Sequence, residues 1–196
     1  MEQKAAGGRR MDIATHSITL ISIVVGLGLT EMFGNFYRLI RNRDRVRWDA
    51  LPLVWMATLF FLILNFWWAL YLRLDGSQKA DTVAEFGLIL TSPLLLFLAT
   101  AIVLPNFSAD DDWDMRRDYG AQRKVIALTF ALFQVTTFTT ALVVGTMAWD
   151  FLSIVRVAIF ALLVSMLVID SRRWDWVVAL AIMTALLIRL TTQVVR

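Results

Sequence analysis

An ionisable side chain inside a long apolar run is costly to keep there, so each one marks a place where pairing or chemistry is needed. Glu31, His16, Arg156 and Arg189 are such residues, and Asn65 and Gln134 are polar interruptions of two further apolar runs. Two kinds of chemistry fit them. His16, Arg156 and Arg189 could form a cationic vestibule that attracts an anion or a carboxylate, with Glu31 as an inner acidic site or proton acceptor. Read this way, Glu31, Asn65, Gln134, Arg156 and Arg189 line the path of a small ion or solute channel or transporter. The alternative is local. An arginine six or seven residues from a helix end can snorkel to the headgroups along its own stem. Glu31 can pair with Arg38, two turns on, or with Asn35, one turn on. His16, between Thr15 and Ser17, lies near water.

Other chemistries find little purchase. The chain has no cysteine, which excludes disulfides, thiolate metal sites and cysteine nucleophiles. A single histidine makes a zinc site improbable. The run Asp110, Asp111, Asp112, Asp114 and Asp118 lacks the glycine and distal glutamate of a calcium loop, and it is interleaved with Arg116, Arg117, Arg123 and Lys124. It reads as a solvated, partly self-paired surface. No phosphate-binding loop, HExxH motif or serine elbow is present. The expectation is a protein that is not an enzyme and carries no metal and no cofactor. A net charge of +3 is too small to argue for nucleic acid, so no nucleic-acid partner is expected.

The elements that must position these residues are membrane helices. Of the 196 residues, 59% are hydrophobic and 18% charged, and the mean hydropathy is +0.67. The apolar residues are gathered into runs near the roughly 20 residues that a helix needs to cross a bilayer. The fold class expected is all-α: a polytopic helical bundle of six transmembrane helices over about 13–36, 51–72, 86–104, 125–147, 151–169 and 176–195. Residues 1–12, with Gly7-Gly8, read as a flexible leader, and 13–196 as a single transmembrane domain. Pro93 should kink the third span or end its first turn. Most of the threonines in the fourth span can bond back to their own helix and need no other partner.

Gly26, Thr30 and Gly34 recur every four residues on the first span. Small residues at that spacing let two helix backbones approach closely, inside one chain or between two. Trp48, Trp67, Trp68 and Trp174 stand at span ends, where amphipathic rings favour the membrane interface. Asp49 is placed to cap the second helix, with Pro52 in its first turn. Five arginines, Arg38, Arg41, Arg43, Arg45 and Arg47, crowd into ten residues. The connections after the first, third and fifth spans carry eleven basic residues, and the other side carries six. That bias places the odd-numbered connections in the cytoplasm and both termini outside.

Trp-Asp occurs in each odd-numbered connection, at Trp48-Asp49, Trp113-Asp114 and Trp174-Asp175, at intervals of 65 and 61 residues. The first and third copies each place a ring and a cap at a helix start, whereas the middle copy lies about ten residues ahead of its helix. Three helical hairpins of similar design fit this spacing.

Four stretches carry a resemblance: G-L-G-L-T at 26–30, R-V-R-W at 45–48, Phe66-Trp67-Trp68, and L-P-N-F at 104–107. Over roughly the first 110 residues the chain resembles a group of small, uncharacterised bacterial inner-membrane proteins. The resemblance implies a six-helix fold and a bacterial inner membrane, and it transfers no activity. The chain departs from the lysosomal potassium-channel family, whose first span carries a Phe-Ser-Asp signature, because Ala14-Thr15-His16-Ser17 stands there instead. The functional expectation is a structural or accessory subunit of a membrane assembly, a homo-oligomer or bound to another membrane protein.

Overall fold

In a computed structural model of the chain, the described residues are 2–73, 83–104, 113–143 and 151–194, with side chains described over 19–69, 86–104, 113–143 and 153–191. The fold is all-α, with six helices: α1 (Glu2–Arg41), α2 (Ala50–Arg73), α3 (Val83–Val103), α4 (Met115–Val143), α5 (Phe151–Val168) and α6 (Arg172–Val194). Five contain segments long and apolar enough to cross a bilayer: Thr19–Arg41, Ala50–Ala69, Phe86–Val103, Met115–Val143 and Arg172–Thr191. The segment Ser153–Val168 of α5 is apolar but shorter. The chain is a polytopic membrane protein, and its exposed helix faces are apolar, as at Ile23, Leu27, Ile154 and Ile188.

Helix boundaries depart most from expectation at the starts of α1 and α4, each for a local reason, and α6 begins four residues early, at Arg172. α1 begins before residue 13 and takes in the stretch read as a leader, because Glu2 to Ala6 are good helix formers. α4 begins ten residues before 125. Asp114 caps it, accepting the backbone N–H groups of Arg116 and Arg117 at 3.0 and 3.1 Å. The middle Trp-Asp copy therefore also stands at a helix start. Pro93 is buried inside α3, which continues through it. Neighbouring helices can re-satisfy backbone groups freed by a proline, so membrane helices tolerate one. Thr129, Thr137 and Thr140 bond to carbonyls three or four residues back, as expected.

The helices do not pair as three separate hairpins. α3 packs mainly against α4 and α1, and α2 mainly against α6; α1 touches α2, and α5 touches α6, much less. Trp55 of α2 is fully buried, edge-on to Phe130 of α4 with ring centroids 5.2 Å apart. Phe66 and Phe133 make a second such contact at 6.2 Å, about three turns further along α2 and one turn along α4. The close backbone approach on α1 is made by Gly28, not by Gly26 or Gly34. A Cβ at Gly28 would stand 3.5 Å from the Cα of Phe97 on α3, whereas one at Gly26 or Gly34 would have no neighbour within 4 Å. The reason is angular. Gly28 points with buried Ile21, Val25 and Met32, while Gly26, Leu27 and Thr30 are exposed.

Candidate functional site

The greatest density of paired charge lies where the three odd-numbered connections meet. A short parallel pairing of Val46-Arg47 with Trp113-Asp114 joins the first connection to the start of α4. Beside it, Asp49 caps α2, accepting the Leu51 N–H at 3.0 Å. Its second carboxylate oxygen accepts from Arg172, at the start of α6. Burial opposes ionisation of Asp49 most strongly, but the bonds from Arg172 and Leu51 outweigh it and hold the carboxyl below the usual range.

Arg123 is the centre of the cluster. It lies on α4 and is 5% exposed. Its Nε donates to both oxygens of Asp175, at 2.7 and 2.9 Å. One terminal nitrogen reaches Asp170 at 3.0 Å and the other donates to the Ile169 carbonyl at the end of α5. All three guanidinium nitrogens are therefore engaged across the α5–α6 connection. Asp175 does not cap α6, since Arg172 begins the helix. It sits within the first turn, its own N–H bonded to Ser171, and turns its carboxylate inward. Tyr119, one turn before Arg123, accepts the Trp55 indole N–H at 3.2 Å. The cluster thereby ties α2, α4, α5 and α6 together at one end. Electrostatically the buried cation is compensated: the Arg123 guanidinium faces two carboxylates and a carbonyl.

Glu31 has a local partner. The Asn35 amide donates to Glu31 at 3.3 Å and to the Leu104 carbonyl at the end of α3 at 2.8 Å, while Arg38 donates to the Asn35 oxygen at 3.2 Å. Glu31 thus belongs to a chain of contacts that fastens α1 to the C-terminal end of α3. Asn65 is buried on α2, and Gln134, Arg156 and Arg189 are half-buried on α4, α5 and α6. The main partners of α1 are α3 and α2, so Glu31 is not brought beside Arg156 or Arg189. His16 lies on α1, and its side chain is outside the described residues. Trp48, Trp67 and Trp68 are exposed at helix ends. Trp174 differs: it is half-buried against the core and donates to Ser165 at 2.8 Å. Among the described residues no group of acidic or histidine side chains is arranged to hold a metal ion.

Arg123 was expected on a solvated surface and Tyr119 was not singled out, because residues 106–124 read as a loop; Asp170 and Arg172, in the short connection after the fifth span, were not singled out as site residues either. A signal was present. Met115, Tyr119 and Arg123 continue, at helical spacing, the stripe that buries Ile126, Ala127 and Phe130. Comparison of the chain with protein-family models, with curated proteins and with solved structures found no match.

Proposed function

We propose that this chain is a non-enzymatic structural or accessory subunit of a membrane assembly. The observation that carries the reading is the occupation of its charged groups. The residues with most capacity for chemistry, Arg123 and Glu31, are engaged in fastening helices to one another. What α1 turns outward is a smooth strip at Gly26 and Thr30, where the Thr30 hydroxyl is bonded to the Gly26 carbonyl at 2.8 Å. Such a strip suits the close approach of a second membrane helix, from another copy of this chain or from another membrane protein. In this reading α5 is a sixth crossing, since its 18 residues span roughly 27 Å. The arginine bias then sets the odd-numbered connections in the cytoplasm of a bacterial inner membrane, with both termini outside, in line with the resemblance to small six-span bacterial proteins.

The test is the mass of the protein component after purification in mild detergent. A complex larger than one chain is expected, and Gly26→Leu with Gly34→Leu should reduce it to the single chain without loss of helicity. A wild-type protein that is already a single chain with nothing bound refutes the reading. Reporter fusions at both termini check the orientation.

A further inference from the structure

The parallel pairing of Val46-Arg47 with Trp113-Asp114 does more than join two connections. It brings Arg116 and Arg117, in the first turn of α4, alongside Arg43, Arg45 and Arg47, some seventy residues earlier in the chain. With Arg41 at the end of α1, six exposed arginines share one edge of the bundle. Arg43 and Arg47 are 75% and 86% exposed at the side chain. Among the described residues the acids beside them are few. Asp44 stands 3.9 Å from Arg43 and is itself almost fully exposed; Asp114 is 3.8 Å from Arg47 but is engaged in capping α4; Asp118 is half-buried. Asp110, Asp111 and Asp112 lie outside the described residues.

Three features say what this edge meets. Every cation in it is an arginine, and the planar guanidinium matches the paired oxygens of a phosphodiester. Trp48 stands beside Arg47 and is 45% exposed, a ring position favoured at headgroup depth. The patch is also continuous with the lipid-facing apolar surface of α1 through exposed Phe33, Tyr37 and Ile40. A soluble acidic partner would require neither the ring nor the apolar margin.

We infer that the edge formed by Arg41, Arg43, Arg45, Arg47, Arg116 and Arg117 binds the phosphodiester headgroups of anionic phospholipid in the adjoining leaflet. The inference rests on the membrane-spanning arrangement and not on the accessory-subunit reading. It holds whichever leaflet that is.

Native mass spectrometry of the full chain in mild detergent, with phosphatidylglycerol and phosphatidylcholine added in equal amounts, tests it. Wild type is expected to retain phosphatidylglycerol in preference. R43Q/R45Q/R47Q should lower that preference roughly fivefold per guanidinium, on the order of a hundredfold in all. R43K/R45K/R47K should lose less, because charge survives and bidentate geometry does not. R73Q, at the far end of α2, should leave the preference unchanged. Raising salt from about 0.1 to 1 M shrinks the screening length from about 10 to 3 Å and should weaken retention by wild type without any variant. Equal retention of the two lipids, an unchanged preference in the triple glutamine variant, or ready displacement of phosphatidylglycerol by a polyglutamate peptide would each overturn the assignment.

Discussion

Replacing Asp175 by Asn isolates the contribution of the buried charge pair. The change keeps the side chain's shape and one acceptor oxygen. It removes the charge that faces Arg123, a guanidinium only 5% exposed, at 2.7 Å. Asp170 remains at 3.0 Å, but its side chain is 89% exposed. An exposed carboxylate contributes at most about 1 kcal/mol. Breaking a buried pair by neutralising one partner costs about 3–5 kcal/mol. Allowing for Asp170 and for the surviving hydrogen bond, the expected loss is about 3 kcal/mol. For a chain of this size that lowers Tm by roughly 6–12 °C.

The assay is loss of helicity in detergent, followed by circular dichroism on heating and on titration with a denaturing detergent. The informative variant is the double change Arg123→Gln with Asp175→Asn. It leaves two neutral amides where two charges stood, so the uncompensated buried cation is gone. The double variant should be less destabilised than the two single losses added together, by about 2 kcal/mol or more. If Asp175→Asn shifts stability by less than about 0.5 kcal/mol, or if the single losses simply add, Arg123 and Asp175 do not act as a buried pair and the clasp is wrong.

Three further outcomes follow from single contacts. Gly28→Leu should lower stability by about 1–3 kcal/mol in the same assay, because its side chain would drive into the α3 backbone 3.5 Å from the Cβ position, while Gly26→Leu should change little. Asn35→Ala should cost about 1–3 kcal/mol, since it strips the Leu104 carbonyl of its donor and frees α1 from the end of α3. Asp49 titrates below its ordinary value of 3.8, so its contribution is fully present above that value and is lost as pH falls through the lower folded value. Acid titration of helicity should show wild type losing stability below about pH 4, with Asp49→Asn less stable at neutral pH and flatter across that window.

All six helices were legible in the sequence as apolar runs, five of them long and apolar enough to cross a bilayer. What packs against what was not, and the reason is physical. In a lipid-facing bundle the outer face is as apolar as the inner one, so the period that separates core from surface in a soluble helix is flattened. Gly26, Thr30 and Gly34 had the right spacing for a packing face, yet Gly28 has the right angle, and composition cannot rank the two. Arg123 was hidden for the opposite reason. Its neighbours Arg116, Arg117, Asp118 and Lys124 are polar, and the stripe running through Met115, Tyr119 and Arg123 is visible only when a charged residue is allowed into a buried face. For Glu31 the sequence offered Asn35 and Arg38 as local partners beside a functional role, and the contact present is with Asn35, one helical turn away.

The three Trp-Asp copies show why the ends of this bundle carry so much charge. Within the bilayer, helices gain little from one another that lipid does not also offer, so apolar burial alone selects neighbours weakly. The most extensive pairing, α3 with α4, joins neighbours in sequence, but α1 with α3 and α2 with α6 join helices that are not, and short connections cannot impose those two. Selection needs directional contacts, and at the membrane edge polar groups are inexpensive to place. Each copy supplies an aspartate there, but with a different task. Asp49 caps α2 and holds the start of α6; Asp114 caps α4; Asp175 turns inward to the cation on α4. If this view is right, neutralising Asp49 or Asp175 should loosen the contacts of α6 at the clasp end before those at its far end. Hydrogen exchange along α6 would register that as protection lost from its first two turns outward, and uniform loss along the helix would count against it.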